Sequence, residues 1–311
     1  MSNTRNVIKY FEKIECDFLK INNLSPEECL AYLNKIFMSH ILFFPFHNFE
    51  LREASQAHPL YRKNLSLFKM KQFVQGHNGG FCFQNTQLLY QALKSTGFNV
   101  YRSVAKVLND LAPDSIEASK LPATHLILVA TIDNHNYLLD PSMGMNGHSA
   151  PFLIQSSLIH KQNNRYFKID KMEDNFLFYR AVNGKWFLSF CSSLLPADSS
   201  SISTQLTKLQ CFPDVLGIRD IIILVGIATN TGGKSLLWNS TTNIFTFKTI
   251  STTDADRDEK LNVNDAFNQM KRIHPGEWIS GYTEGNDVHR GRVSFAPLHF
   301  AHSNFCCCVG W

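Results

Sequence analysis

The spacing of apolar residues predicts a mainly helical first stretch of the chain. Apolar side chains recur every three to four residues at Tyr10, Phe11, Ile14, Phe18 and Ile21, as on one buried face of an α-helix. A second helix is predicted to begin at Ser25-Pro26-Glu27-Glu28, which combines an N-cap serine, a proline at the first helical position and a glutamate at the third. We therefore predict a helical region over residues 5–98.

The second stretch, from residue 99 to 195, has short runs of β-branched and aromatic residues that favour strands. These runs are Val100–Val107, Thr124–Thr131, Tyr137–Asp140, Tyr166–Ile169 and Trp186–Phe190. Leu195–Ser203 contains a proline and three consecutive serines, and we interpret it as a linker. The last stretch is mixed, with strands predicted around Ile221–Val225 and Ile244–Ile250 and a helix over Val263–Ile273.

Composition and charge exclude several classes of protein. With 311 residues, 44% of them hydrophobic and 18% charged, the chain is too apolar for a disordered protein and long enough for about two domains. The net charge of +4 comes from 30 basic and 26 acidic residues. This near-balance differs from the strong excess of basic residues that is typical of nucleic-acid-binding proteins. We therefore expect no nucleic acid as a partner.

The cysteines and the apolar runs bear on the compartment. Eight cysteines include no C-x-x-C pair, and the twelve histidines show no metal-ligand spacing, so we expect no metal ion. Charged residues interrupt the first 20 residues, which indicates no secretion signal. The longest apolar run, Ile221–Ile227, is far shorter than the ~20 residues of a membrane helix. We expect a cytoplasmic protein with free thiols and no membrane association.

One cysteine has a distinctive local sequence. Asn78-Gly79-Gly80-Phe81-Cys82-Phe83-Gln84 precedes a helical stripe of leucines that ends at Gly97. The two glycines permit a sharp turn, so Cys82 is placed in the first turn of a helix, where the helix dipole favours a thiolate. The alternative is a small buried side chain beside a Gly-Gly turn.

A histidine and an aspartate are predicted to meet in a hairpin. Thr124–Thr131 and Asn136–Asp140 are neighbouring strands with a turn in Ile132–His135. This turn places Asp140 opposite His125 or within two residues of it. A carboxylate can fix the tautomer of an imidazole and stabilise its charged form, as in a catalytic triad. A structural hydrogen bond inside a barrel is the alternative.

These segments together resemble the arylamine N-acetyltransferases. Gly79-Gly80-Phe81-Cys82-Phe83-Gln84 is similar to the family pattern R-G-G-x-C followed by an apolar residue and Glu or Gln. His40 and Pro45-Phe46-His47-Asn48 are similar to H-x-x-x-x-P-F-E-N. Downstream, Thr124-His125 and Asp140 match the histidine and aspartate of the family. The four motifs follow one another in order over residues 10–140.

The resemblance implies an α+β fold with an N-terminal helical domain, a central β-barrel and a C-terminal α/β lid. We expect domains at residues 1–98, 99–198 and 199–311. It also implies that Cys82 is a nucleophile, His125 its base and Asp140 the group that orients the base. Such an enzyme takes acetyl from acetyl-CoA as a thioester and passes it to an arylamine, a hydrazine or a related amine. We expect the chain to act as a monomer.

Two departures from the family pattern concern the substrate pocket. Asn78 and His47 replace the arginine and glutamate of the family, and we hypothesise that they hydrogen-bond to each other instead of forming an ion pair. Pro141–Gly147 replaces a V-G-F-G-like segment, so two adaptable methionines stand in place of an aromatic wall. The candidates for the substrate pocket are Phe46, Phe81, Met143 and Met145.

These departures leave two alternative functions open. The first is a cysteine amide synthase or amidohydrolase that uses another acyl group, and the second is a catalytically degenerate relative that serves as a binding protein. Two weaker motifs are interpreted structurally. Ala228–Ser235 resembles a relaxed phosphate-binding loop but is predicted to be a hairpin turn, and Cys306–Cys308 near the end is predicted to be part of an apolar strand.

Overall fold

A computed structural model of the chain describes residues 2–51, 79–162, 165–182, 184–211, 222–230, 232–239, 241–251 and 257–262, together with 265, 266, 268 and 269. The helices with defined bounds are α1 (Ser2–Lys13), α2 (Pro26–Phe43), α3 (Cys82–Thr96), α4 (Ile116–Lys120) and α5 (Ser199–Cys211). Short 3-10 helices occur at Ile21–Asn23 and Gly144–Asn146.

The larger of two antiparallel sheets forms the centre of the molecule. Its strands are β2 (Asn99–Val107), β3 (His125–Ile132), β4 (His135–Leu139), β5 (Phe152–Leu153), β6 (Ile159–Gln162), β7 (Arg165–Met172), β8 (Asn175–Val182) and β9 (Lys185–Ser192). They are ordered β5-β4-β3-β2-β9-β8-β7-β6, and the sheet closes almost completely into a barrel. Phenylalanines and aliphatic residues from these strands fill its interior, among them Ile127, Phe178 and Phe190.

The smaller sheet joins a short strand that follows α2 to the four strands of the last described stretch. It contains β1 (Phe46–His47), β10 (Ile222–Thr229), β11 (Gly232–Asn239), β12 (Ile244–Ser251) and β13 (Arg257–Leu261), in that order. β1 pairs with β10 through Phe46 opposite Gly226 and His47 opposite Val225. The Asn48 side chain reinforces the pair, because its Nδ2 donates to the Ile222 carbonyl at 2.7 Å and its Oδ1 accepts from the Leu224 N–H at 2.8 Å.

The helical region is confirmed only in part, because α1 ends at Lys13, whereas Phe18 and Ile21 of the predicted stripe lie beyond it. The side chain of Ser25 accepts from the Glu28 N–H and the Glu28 carboxylate accepts from the Ser25 N–H, which completes the predicted capping box of α2. Helix α3 ends at Gly97, whose φ of 103° is accessible to glycine at little cost. Both helices bury apolar faces in one core cluster with Tyr10 and Phe11 of α1. The N-terminal end of α3, where Cys82 lies, packs in a second cluster with Leu126 and Ile202.

The α+β fold is confirmed, whereas the predicted linker is wrong in its second half. Residues 199–203 begin helix α5, because Asp198 caps it by accepting from the Ser201 N–H at 2.7 Å. Ile202 of this helix is fully buried. The domain boundaries stay a prediction, and the pairing of β1 with β10 links the first and third predicted domains directly.

Later segments differ in how far the structure describes them. The predicted hairpin near Gly233 is present, with β10 and β11 paired from Thr229 opposite Gly232 onward. No phosphate-loop helix follows in this described hairpin, because Lys234 is an exposed residue within β11. The predicted helix over Val263–Ile273 is described only at four residues, and Cys306–Cys308 lies outside the described residues.

Candidate active site

Cys82 is the first residue of α3, as the Gly-Gly motif predicts. Gly79 has a φ of 95°, and a Cβ on it would collide with the Pro45 carbonyl oxygen. A Cβ on Gly80 would collide with the Gln84 side chain, whose Oε1 accepts from the Phe81 N–H at 3.2 Å. Both glycines are therefore needed for the chain to turn tightly into the helix, and the turn presents the Cys82 side chain at the helix start.

His125 and Asp140 form the predicted hairpin pair. Asp133 and Asn134 have φ angles of 47° and 60°, as a tight two-residue turn between β3 and β4 requires. The register places Leu128 opposite Leu139, so Asp140 falls two residues along the ladder from His125. Across this diagonal, His125 Nε2 lies 2.7 Å from Asp140 Oδ2, and both side chains are almost completely buried.

The three candidate residues meet at one place. The Cys82 Sγ lies 3.6 Å from the carbonyl oxygen of Thr124, the residue before His125, and Cys82 and His125 line the same cleft. Burial on its own would lower the pKa of His125, but the charge and hydrogen bond of Asp140, with a further contribution from Cys82, raise it to about 10. At neutral pH His125 is therefore an imidazolium beside Cys82.

A second histidine, His148, hydrogen-bonds to the backbone of Asp140. His148 Nε2 accepts the backbone N–H of Asp140 at 3.1 Å, and its Nδ1 donates to the Ala150 carbonyl at 2.7 Å. Burial lowers the pKa of His148, which is consistent with the neutral ring that these two bonds require. Asp140 Oδ1 also accepts from the Ser142 N–H at 3.0 Å. These bonds fix the carboxylate against His125.

Cys82 and His125 open into a cleft of about 460 Å³, a size typical of small-molecule sites. Three of the four predicted pocket residues line it, namely Phe46, Phe81 and Met143. Met145 lies in the 3-10 helix beside the cleft, and its side chain is outside the described part of the chain. Asn78 is likewise outside the described residues, so the hydrogen bond hypothesised between it and His47 stays a prediction.

Sequence reasoning missed the part of the cleft that β8 and β9 contribute. Arg180, Phe187 and Ser189 line it, although they are far from Cys82 in sequence. The ladder between β8 and β9 pairs Phe178 with Phe190 but Tyr179 with Leu188, so Ser189 is an extra residue in a β-bulge. A bulge changes which face later side chains occupy, and here it allows Phe187 to line the same cleft as His125. No pattern in the sequence indicates that shift.

Two further findings concern metals and membranes. Among the described residues, no group of three or more His, Cys, Asp or Glu side chains is arranged to hold a metal ion. No helix in the described ranges combines the length and the apolar character that crossing a membrane requires.

Comparison with known proteins identifies the family. A family model described as N-acetyltransferase matches residues 29–270, more than half of the chain. The chain belongs to the arylamine N-acetyltransferase family. A probable arylamine N-acetyltransferase 2 of Dictyostelium discoideum is 24% identical over 166 residues, which cover 53% of this chain and 52% of that protein. The chain thus spans about half the length of this curated relative, or less for others.

Solved structures of the family share the fold. An arylamine N-acetyltransferase from Mycobacterium smegmatis superposes with a TM-score of 0.70 at 17% identity, over 90% of this chain and 95% of that chain. The Mycobacterium marinum arylamine N-acetyltransferase, solved in complex with CoA, gives a TM-score of 0.67 at 15% identity, over 85% and 90% of the two chains. At these identities the likeness establishes the fold.

Proposed function

We propose that this chain is an N-acetyltransferase that moves an acetyl group from acetyl-CoA to an arylamine, a hydrazine or a related small amine through a thioester on Cys82. The observation that carries the proposal is that Cys82 and His125 line one cleft and that Asp140 lies 2.7 Å from His125. The family assignment supports acetyl transfer, and the CoA complex of a relative with the same fold supports the donor.

In the first half of the reaction, the Cys82 thiolate attacks the carbonyl carbon of acetyl-CoA. The tetrahedral intermediate then collapses by breaking the bond to the CoA sulfur, which takes the proton of the His125 imidazolium and leaves as a thiol. The acetyl group is now a thioester on Cys82 and His125 is neutral. Because a thioester keeps the acyl carbon reactive, little of the driving force is lost.

In the second half, the nitrogen of the amine attacks the thioester carbon. Neutral His125 accepts a proton from the nitrogen as the new C–N bond forms and the C–S bond to Cys82 breaks. The amide leaves, and Cys82 returns as a thiolate beside a protonated His125. Asp140, 2.7 Å from His125 Nε2, stabilises the imidazolium each time it forms.

The remaining expectations belong to the same proposal. The chain is proposed to act as a monomer in the cytoplasm, with acetyl-CoA and a small amine as its ligands and with no metal, nucleic acid or membrane. Phe46, Phe81 and Met143 are the proposed contacts of the acceptor, because their side chains line the cleft beside Cys82. A degenerate binding protein is disfavoured, because a buried imidazolium–carboxylate pair next to a thiol is costly to maintain without a use.

Labelling with the donor tests the proposal. The purified chain is incubated with radiolabelled acetyl-CoA, and the label is expected on Cys82, from which an arylamine such as aniline discharges it. Cys82→Ala should take up none, and Cys191→Ala, which removes a thiol away from the cleft, should label like wild type. Wild type without label, or equal label on Cys82→Ala, overturns the proposal. Label that no amine discharges favours the amide synthase with a different acyl group.

A further inference from the structure

Among the described residues that line the cleft, Arg180 is a cation that forms no ion pair. Arg180 lies on β8 and lines both the cleft that contains Cys82 and a neighbouring cavity of about 30 Å³. Met143, Asn146 and Ser189 line the same two spaces. Arg180 therefore lies between the segment Pro141–Gly147, which differs from the family pattern, and the bulge of β9 at Ser189.

The guanidinium group stacks on an aromatic ring. Its Cζ lies 4.4 Å from the centroid of the Phe187 ring, opposite it in the β8–β9 ladder. The Nε atom is buried and has no hydrogen-bond partner. Within the described part of the chain, no carboxylate forms an ion pair with Arg180. The stacking fixes the plane of the guanidinium and leaves its N–H donors available.

The electrostatic surroundings favour an anion at this position. Burial and the charge of Arg165 lower the pKa of Arg180 to about 10, against a smaller opposite effect of Asp110. The group is thus still charged at neutral pH, in a site that destabilises its charge. The other basic side chain that lines the cleft, Lys248, is 3.6 Å from Asp258. A ligand carboxylate would supply the countercharge that the described residues do not give to Arg180.

We propose that Arg180 is a specificity-determining residue that binds a carboxylate of the substrate, either on the acceptor amine or on the acyl group carried by the donor. The inference rests on the proposed function, since it concerns the ligands of the same cleft. The planar guanidinium suits a carboxylate because two parallel N–H···O bonds can form. Met143 and Phe187 then contact the apolar part of the ligand.

Two matched pairs of substrates test this. The acceptors are 4-aminobenzoate and neutral 4-aminobenzamide with acetyl-CoA as donor, and the donors are malonyl-CoA and acetyl-CoA with 4-methylaniline as acceptor. Wild type is expected to favour the carboxylate-bearing member of one pair by about 10- to 100-fold in kcat/KM, as for a hydrogen bond to a charged group. The pair that shows the preference identifies which substrate carries the carboxylate.

Variants of Arg180 test whether its guanidinium group causes the preference for carboxylate-bearing substrates. Arg180→Met should abolish it, so that the ratio of kcat/KM within the pair falls to about one, and Arg180→Lys should restore part of it, since an ammonium keeps the charge but not the planar geometry. Lys171→Met, which removes an exposed cation from the neighbouring strand, should leave the preference intact. Circular dichroism checks that each variant is folded.

Several outcomes overturn the inference. These are equal kcat/KM within both pairs for wild type, a preference that survives Arg180→Met, or a rise in KM for acetyl-CoA with 4-aminobenzamide in that variant, which would mean that Arg180 binds a phosphate of CoA. Calorimetric titration of the same four compounds into Cys82→Ala separates this inference from the proposed function. If Cys82 is never acetylated but carboxylate binding still depends on Arg180, the function fails and the anion site stands.

Discussion

Two buried histidines of this chain have opposite states of ionisation. His40, in the helical core, is 0% exposed and its Nδ1 lies 2.8 Å from the Tyr10 hydroxyl. His125, at the edge of the barrel, is 5% exposed and its Nε2 lies 2.7 Å from Asp140. Burial lowers the pKa of His40 to about 3. The same burial acts on His125, yet Asp140 and Cys82 raise its pKa to about 10.

The difference shows that the partner, more than the depth of burial, determines what a histidine can do. A phenol hydroxyl can hydrogen-bond to a neutral ring without bringing a charge that would stabilise the protonated form. A buried carboxylate changes which form of the ring is stable and makes it able to hold and release a proton during a reaction. Each of the following predictions removes or measures one of these partners.

The largest effect is expected for Asp140→Asn. This change removes the charge that keeps His125 protonated, so burial then dominates and the ring becomes neutral. By analogy with the loss of the orienting carboxylate in a triad, the rate of Cys82 acetylation should fall by about 10,000-fold. Rapid-quench measurement of acetyl uptake gives this rate. Asp133→Asn, in the exposed turn of the same hairpin, should react like wild type, and a loss below tenfold for Asp140→Asn would contradict the comparison.

Titration of the two rings measures the comparison directly. Nuclear magnetic resonance of the imidazole nitrogens should show His125 protonated until the pH approaches 10, and His40 neutral until the pH falls towards 3. Because the folded pKa of His125 exceeds its ordinary value near 6.5, its ion pair stabilises the fold fully below that pH. This stabilisation is lost as the pH rises through about 10. Two rings that titrate together near pH 6.5 would refute the assignment of partners.

A smaller effect is expected for His148→Phe. The new ring keeps the stack on Phe37 but leaves the Asp140 N–H and the Ala150 carbonyl without their bonds to His148. One unsatisfied buried donor costs about 1–3 kcal/mol, so acetylation should slow by roughly tenfold through a displaced carboxylate, with the KM for acetyl-CoA unchanged. His160→Phe changes a ring in the same cluster with no bond to Asp140. An equal loss in both variants would make His148 merely structural.

The parts that could be predicted from the sequence depend on local geometry. A Gly-Gly turn before a helical stripe places Cys82 at a helix start, and a two-residue turn determines the register that brings His125 and Asp140 together. The helix start with Cys82 and the hairpin with His125 come together only in the tertiary fold. That contact was predicted from the resemblance to the family and not from local sequence. The capping motif predicted the start of α2 and the β-branched runs predicted the strands from residue 99, but apolar spacing did not show that α1 ends at Lys13.

What could not be predicted depends on contacts between distant residues. Arg180 reaches the cleft because the barrel brings β8 and β9 beside β3 and because a bulge at Ser189 changes the face that Phe187 occupies. His148 supports Asp140 from a segment without regular structure. Helix α5 was obscured by serines, which favour turns in general but here follow an N-cap aspartate.

The short pairing of β1 with β10 has a consequence for biosynthesis. Phe46, a wall of the cleft, is held by a strand made about 180 residues later in the chain, and Asn48 spans the same separation. A contact so distant in sequence forms slowly and only once both partners exist. While the ribosome is still making the barrel, Cys82 can be joined by His125 and Asp140, but the cleft wall remains unfinished. The proposed nucleophile can therefore meet His125 and Asp140 before Phe46 is fixed in the wall of the cleft.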